Sequence, residues 1–380
     1  MKTLALVCLV ACGDNTPAIG PPLAQADTLF VGAHTDDDEI FMQPELVATL
    51  RSGGSSTTLF VTTGDPIYGD AHALSLFDSA LVAYGAIAGS QAWECGYLTI
   101  ADAPIHHCRL RDRPVSLIAL DLPDGGIPGT GPASLLDLVD GSDADVPIIG
   151  AMGGRATTAS IITELAAILT ATAPLEIHAL ELAGTHGYDH SSHMFSSAFT
   201  WWAAATLGYP GPITWHRGYN VETEAVTLDG GDHAAPVEML GYYEACADKC
   251  GRCGTSCAAV NPAHDVWLSR QYSTTRVPTA TGRLSDGTSC FGDCSTFTLE
   301  ASGHLSANGQ CLASTADGGT SFVPCAADPT QAWVLDSEGS LWNGAVPAPG
   351  GDMTFDHVRC LTVTGAPVCG AHLQAHWQFI

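Results

Sequence analysis

Two short polar clusters about 150 residues apart hold the residue types that do chemistry in this chain: AHTDDDE at Ala33 to Glu39 and GYDHSSH at Gly187 to His193. His34 and Asp37 stand three apart, a spacing that lets two side chains converge on one point of a helical turn. An imidazole and a carboxylate are suitable zinc ligands, and His190 and His193 repeat the spacing. One histidine of that second pair supplies a third ligand. Three protein ligands with a fourth position left for water describe a catalytic zinc rather than a structural one. Iron or cobalt fits the same donors. Asp36, beside a ligand but directed elsewhere, is available as the base that takes a proton from water. The remaining histidine can stabilise charge or return a proton to a leaving nitrogen. The reaction class this kit points to is metal-dependent hydrolysis. The plainer reading of Asp36 to Glu39 is a solvated helix start, where carboxylates favour the positive end of the dipole.

Such a kit works only if strands and helices bring its halves together. Each cluster follows an apolar run that reads as a buried strand, Asp27 to Gly32 and Leu175 to Ala183. Strand ends are where open α/β sheets bind ligands. Helices are expected around Gln43 to Arg51, His72 to Ala88 and Thr157 to Thr170, with a second strand at Thr57 to Thr63 ending in TTGD. Strands alternating with helices predict an α/β fold, a Rossmann-like, largely parallel sheet with helices on both faces. From about Ala280 onward the chain is rich in Gly, Ser, Thr and Cys without helical period, which predicts a small all-β domain. At 380 residues, two or three domains are expected at roughly 100 to 200 residues each.

The 40 acidic residues against 13 basic ones give a formal charge of −27. That argues against nucleic acid or an anionic membrane face as partner and favours neutral or cationic substrates. The same acidity serves solubility. Of 14 cysteines, twelve remain beyond Cys8 and Cys12, an even number that suits an oxidising compartment. Cys95 and Cys108 stand alone in the first half and are expected to pair. Cys246, Cys250, Cys253 and Cys257 form a CxxxCxxCxxxC knot, which can bind zinc or, in an exported protein, form two disulfides. The N-terminus, MKTLALVCLVACGDN, has an apolar stretch from Leu4 to Val10 too short to span a bilayer. It resembles a bacterial lipoprotein signal, with Leu9-Val10-Ala11-Cys12 as the lipobox. The resemblance implies a signal peptide over 1–11, a lipid on Cys12 as the sole membrane attachment and a tether over 12–26. The alternative is a cleaved secretion signal and a secreted protein; either way the chain is exported.

With AHTDD at Ala33 to Asp37 and HSSH at His190 to His193, the chain resembles the N-acetylglucosaminyl deacetylases of the LmbE or PIG-L type, whose signatures are AHPDD and HxxH. TTGD at Thr62 to Asp65 and LPDGG at Leu122 to Gly126 extend the likeness over roughly Asp27 to Ser273, a domain at 27–275. The resemblance implies Zn2+ held by His34, Asp37 and His193, Asp36 as general base, and His190 facing the tetrahedral intermediate. It implies an N-acetylated amino sugar or glycan as substrate. Asp189, Asp65, Asp124 and His186 are candidates for supporting or substrate-contacting roles. His186 also competes with His190 as first histidine of the pair. The chain departs from the pattern at Thr35, where proline is usual, at Ser192, where aspartate or asparagine is usual, and in Leu74 to Gly89, which has no basic residue.

In the last hundred residues, QCLAS at Gln310 to Ser314, Cys325 and Gln331-Ala332-Trp333 recur as RCLTV at Arg359 to Val363, Cys369 and Gln374 to Trp377. A weaker copy begins at Cys290. Three such units resemble the ricin-type β-trefoil, placed at 280–380. The resemblance implies pairs Cys290–Cys294, Cys311–Cys325 and Cys360–Cys369, tryptophans largely in the core, and carbohydrate binding with Gln331 and Trp333 as candidates. Two further readings share these residues: a glycan-binding surface lipoprotein with an inactive hydrolase domain, and a zinc amidase acting on another N-acyl compound.

Overall fold

The computed structural model describes residues 19–64, 69–126, 129, 131–150, 152–182, 186, 189–247, 252–315, 317–343, 359–362 and 377–380. The expected signal peptide over 1–11, Cys12 with its expected lipid, and Asp65 lie outside the described residues. The first part of the chain runs β1 (Thr28–Gly32), α1 (Asp37–Phe41), α2 (Glu45–Ser52), β2 (Ser56–Gly64), α3 (Asp70–Ala88), β3 (Trp93–Ile100), β4 (Ala103–Leu110), β5 (Val115–Pro123) and α4 (Leu135–Asp140). It continues through β6 (Val146–Pro147), β7 (Arg155–Ala156), α5 (Thr158–Thr172), β8 (Glu176–Leu180), α6 (Ser191–Thr206), β9 (Ile213–His216), α7 (Gly230–Cys246), α8 (Pro262–Leu268) and β10 (Ser273–Thr275).

Eight of these strands form one sheet in the order β10-β9-β8-β1-β2-β5-β4-β3. The five central strands run parallel, while β3 and β4 at one margin and β10 at the other are antiparallel. The sheet is thus largely parallel, as expected, with antiparallel edges that the alternation of strands and helices did not reveal. Every residue of β1, β2 and β5 is buried, because helices cover both faces. Side chains alternate between two cores. Leu29 and Val31 join α5 and α6 on one face, and Phe30 joins α1, α2, α3, α7 and α8 on the other. From β1 the chain moves to β2 and β5 on one side, and later returns to β8 and β9 on the other. The strand order therefore reverses at β1, and the crevice at the carboxyl ends of β1 and β8 is where such sheets bind ligands.

Helix α5 starts at a capping box in which Thr157 and Ser160 satisfy each other's backbone N–H groups. Helix α3 is apolar and long enough to cross a membrane, yet Phe77, Ala80, Ala83 and Tyr84 are fully buried against the sheet side, so it serves as a core helix here. In α6 every residue but Thr206 is buried, as expected of a helix enclosed on all sides. Its amino end carries His193 and its carboxyl half reaches the C-terminal region.

That region is all-β: β11 (Ala280–Ser285), β12 (Thr296–Leu299), β13 (Leu305–Ala307), β14 (Gln310–Ser314), β15 (Thr320–Val323), β16 (Val334–Leu335), β17 (Leu341–Asn343), β18 (Arg359–Cys360) and β19 (Gln378–Phe379). The strands form a six-stranded sheet, β15-β14-β13-β12-β11-β19, and a three-stranded one, β16-β17-β18. Most of the third expected repeat lies outside the described residues. Trp333, Trp342 and Trp377 are buried, in line with a core role. Gln331 is buried as well, its Oε1 accepting from Ala326 N at 3.1 Å and its Nε2 donating to Pro324 O at 3.3 Å. Trp333 Nε1 donates to Leu312 O at 2.9 Å. Neither side chain faces solvent, where a sugar would meet it. Trp201 of α6 donates from Nε1 to Ala332 O at 3.3 Å, and Ala332, Val334 and Trp342 share the α5–α6 core. The C-terminal region is thus packed onto the helix that carries His193.

Cys95–Cys108, Cys290–Cys294 and Cys311–Cys325 pair as expected. Within the knot Cys246 bonds Cys253 and Cys257 is also disulfide-bonded, so these thiols form disulfides rather than a zinc site. Cys360 is disulfide-bonded too; Cys369 and Cys250 lie outside the described residues. This density of disulfides fits an oxidising compartment.

Candidate metal centre

At the end of β1 the chain turns through His34 and enters α1 at Asp37, and α1 starts with three carboxylates, Asp37, Asp38 and Glu39, all buried. This is no solvated helix start. The His34 backbone N–H donates to Asp37 Oδ2 at 2.6 Å, which turns Oδ1 toward the crevice. There Asp37 Oδ1 lies 3.3 Å from His34 Nδ1 and 3.1 Å from His193 Nε2, and the two ring nitrogens are 3.2 Å apart. The edge of a tetrahedron around zinc, with ligand bonds of about 2.0 to 2.1 Å, is about 3.3 Å. Three donor atoms at 3.1 to 3.3 Å from one another therefore form one face of such a tetrahedron. Their chemistry, two imidazoles and a carboxylate, suits a divalent cation of zinc type.

The support behind His193 completes the fit. Its Nδ1 bonds Asp189 Oδ1 at 2.7 Å, which leaves Nε2 to face the cation, the carboxylate–imidazole arrangement that orients metal-binding histidines. Asp189 Oδ1 also accepts from His190 N at 2.9 Å and Tyr219 N at 3.2 Å. Gly218 lets the loop approach, since a Cβ there would collide with the Asp189 carboxylate. Burial disfavours charge on His193, but Asp189 and Asp37 outweigh it and raise its pKa to about 10. Asp37, though buried, is held well below the usual carboxylate range by His193 and His34. In the metal-free protein a proton on His193 thus stands in for the cation. Metal binding at pH of about 7 to 8 must displace it, and His34, whose pKa the Asp37 charge also raises despite burial, adds to the release, so at least one proton is expected to leave and affinity should rise at least about tenfold per pH unit below the His193 pKa. Calorimetric zinc titrations in buffers of different ionisation enthalpy measure this directly; zero net release at pH 7 would refute the proton-filled site.

Four other expected residues are described, Asp36, His190, Asp124 and His186. Asp36 is the N-cap of α1 but its carboxylate makes no capping bond to the helix; burial and the Asp37 charge raise its pKa. His190 joins the cluster, its ring 4.7 Å from that of His34. Its Nδ1 accepts from Ser192 N at 3.2 Å and its Nε2 faces Gly126 O at 3.0 Å. Burial and the neighbouring His34 and His193 push its pKa down to about 2, so it is a neutral N–H donor. Asp124 borders the centre through the LPDGG loop, its Oδ1 accepting from Gly126 N at 2.7 Å. His186 does not join the centre. Its Nδ1 bonds Glu181 at 2.7 Å and its Nε2 lies 3.4 Å from Glu338 of the C-terminal region. Of the two, His190 is the one whose ring lies beside His34.

Both departures in the motifs have local partners. Thr35 Oγ1 pairs with Tyr243 Oη at 2.8 Å, and Ser192 Oγ donates to Asp124 O at 3.1 Å. Sequence reasoning missed an aromatic wall beside the ligands: Tyr219 lies 4.8 Å from the His193 ring, Trp267 4.5 Å from Tyr219, and Phe41 5.7 Å from His193. It also missed Asp38, whose pKa burial raises to about 7 and which accepts from the Tyr84 hydroxyl. Tyr219 comes from the loop after β9, Trp267 from α8 and Tyr84 from α3, so only the packing of these elements sets them beside Asp38 and Phe41 of α1.

No protein-family model matches the chain, and no curated protein does. Among solved structures, the chain is similar to a conserved protein of Thermus thermophilus at 16% identity, covering 59% of this chain and 80% of that one, with a TM-score of 0.34. It is also similar to the zinc-inhibited form of teicoplanin deacetylase Orf2 at 13% identity, covering 58% and 84% respectively, again with a TM-score of 0.34. At these scores neither neighbour bears on what this chain does.

Proposed function

We propose that this chain is an exported zinc-dependent hydrolase that removes the acetyl group from N-acetylglucosamine-containing glycans or glycoconjugates. The observation that carries the reading is the tetrahedral face formed by His34 Nδ1, Asp37 Oδ1 and His193 Nε2, with a carboxylate not engaged in capping, Asp36, one residue away. Zinc, when bound, would supply Lewis acidity and lower the pKa of water. Asp36 takes the proton from the attacking water and returns it to the departing amine, so that acetate and a free amino sugar result. His190, held neutral, offers its Nε2–H to the developing oxyanion once substrate displaces the Gly126 carbonyl. Asp189 keeps His193 in the tautomer the cation needs. The acidic surface suits a neutral substrate and a cationic amine product, and a lipid on Cys12 would keep the enzyme at the membrane.

The test is acetate release from N-acetylglucosamine mono- and oligosaccharides by the purified mature protein, with zinc and with chelator. Chelator-sensitive release is expected. Zinc-loaded protein that releases nothing from any of these sugars overturns the sugar assignment.

A further inference from the structure

His186, a candidate from the sequence, stands apart from the metal centre and has no step in the proposed hydrolysis, yet it joins the two parts of the chain. Its Nδ1 bonds Oε1 of Glu181, just past the end of β8, at 2.7 Å. Its Nε2 lies 3.4 Å from Oε2 of Glu338, in the turn between β16 and β17. Glu181 is buried and Glu338 half exposed. Burial disfavours charge on the imidazole and Arg217 opposes it, but Glu181 and Glu338 outweigh both and raise its pKa, which favours a cation between two carboxylates. Burial lifts the Glu181 pKa as well, against the pull of His186 and Arg217.

Both ends of this bridge are held. The turn that carries Glu338 is closed by Asp336, whose Oδ1 accepts from Glu338 N at 2.9 Å and Ser340 N at 2.8 Å. The same turn is tied to the end of β10, where Thr275 N donates to Ser337 Oγ at 3.0 Å. On the other side, Glu181 Oε2 accepts from Asn220 Nδ2 at 3.5 Å. Arg217 fixes that asparagine, donating from Nε to its Oδ1 and from Nη2 to its backbone O, both at 3.1 Å. The neighbouring Tyr219 N donates to Asp189 Oδ1 at 3.2 Å, and this oxygen bonds His193 Nδ1 at 2.7 Å. A contiguous path of polar contacts thus leads from Glu338 through His186 to the atom that orients His193.

We infer that His186 is a positioning residue, the clamp through which the C-terminal region holds the Arg217–Asn220 loop and, with it, the Asp189 carboxylate behind His193. Without the imidazole, Glu181 is a buried carboxylate that has lost its closest partner, and breaking such a pair from one side is costly. The loop it holds is then expected to shift. Glu338 is half exposed, so its pull is the weaker of the two. The inference rests on the reading of His34, Asp37 and His193 as a metal centre, and two readouts separate its failure from the failure of that reading. The first is zinc affinity, measured by competition against a chromophoric chelator. His186→Gln is expected to weaken it about three- to tenfold and Glu338→Gln about two- to threefold, within the range that such networks carry. In the His186→Gln background Glu338→Gln should add nothing, because a residue acting through His186 has nothing left to pull on. Unchanged affinity in His186→Gln, or equal losses from Glu338→Gln in both backgrounds, overturn the inference and leave the metal centre standing. The second readout needs no metal. In the metal-free protein the His193 Nδ1–H proton, in its bond to Asp189, should change its NMR resonance in His186→Gln. A merely structural role would lower the melting temperature and leave that resonance in place. An unmoved resonance overturns the inference even if the protein binds no zinc. Should His186→Gln fail to fold, Glu338→Gln carries both tests, and parent-like zinc affinity or a parent-like His193 resonance in that variant overturns the inference.

Discussion

Asp36→Asn is expected to retain zinc and lose most of its activity, with kcat lower by about a hundredfold to ten-thousandfold, the range a positioned general base contributes. The substitution keeps the shape of the side chain and removes only its ability to take a proton. It should not unfold α1, because the Asp36 carboxylate makes no capping hydrogen bond to the helix. Nor does it touch the ligand atoms, which belong to His34, Asp37 and His193. Metal analysis alongside steady-state kinetics separates the two effects. A variant with zinc bound and a normal rate would overturn the assignment of the base.

Asp37→Ala acts on the centre itself. It removes one donor of the tetrahedral face and the acceptor that holds the His34 backbone N–H, and leaves His193 paired with Asp189 alone. Loss of a supporting partner already costs about 10- to 100-fold in metal affinity, so loss of a ligand is expected to cost at least about a hundredfold and to abolish turnover at micromolar zinc. Removing one member of a buried ion pair also destabilises the metal-free fold by about 3 to 5 kcal/mol. Relief of the repulsion that Asp37 exerts on Asp36 and Asp38 offsets part of that. Competition against a chromophoric chelator and thermal unfolding in chelator measure both. Zinc affinity equal to that of the parent would exclude Asp37 from the ligand set.

Much of this was legible in the chain itself. The strands at Thr28–Gly32 and Glu176–Leu180 are short apolar runs, and α3 and α5 are long apolar stretches. Local patterning records such elements because burial acts on each residue where it stands. The spacing His34–Asp37 and the recurrence at His190 and His193 likewise marked the residues that meet in the crevice as candidate ligands, since a helical turn brings such residues onto one side. The pair Cys95–Cys108 follows from two cysteines standing alone in the first half of the chain, and Cys311–Cys325 is what the repeat of the trefoil resemblance implies.

What only the tertiary structure decided depends on contacts between residues far apart in the chain, which leave no local period. The reversal of strand order at β1 places two clusters about 150 residues apart on one crevice. Helices covering both sheet faces turn an acidic run that would be solvated on an isolated helix into Asp37, Asp38 and Glu39 with no exposed surface to speak of. Packing among the C-terminal strands themselves buries Gln331 and Trp333, which a repeat motif alone allows to face either a ligand or the core. Tyr243 against Thr35 and Tyr219 beside His193 come from separate segments. Their roles exist only because chain topology makes them neighbours, and low dielectric surroundings there make each such pairing worth more than it would be in water.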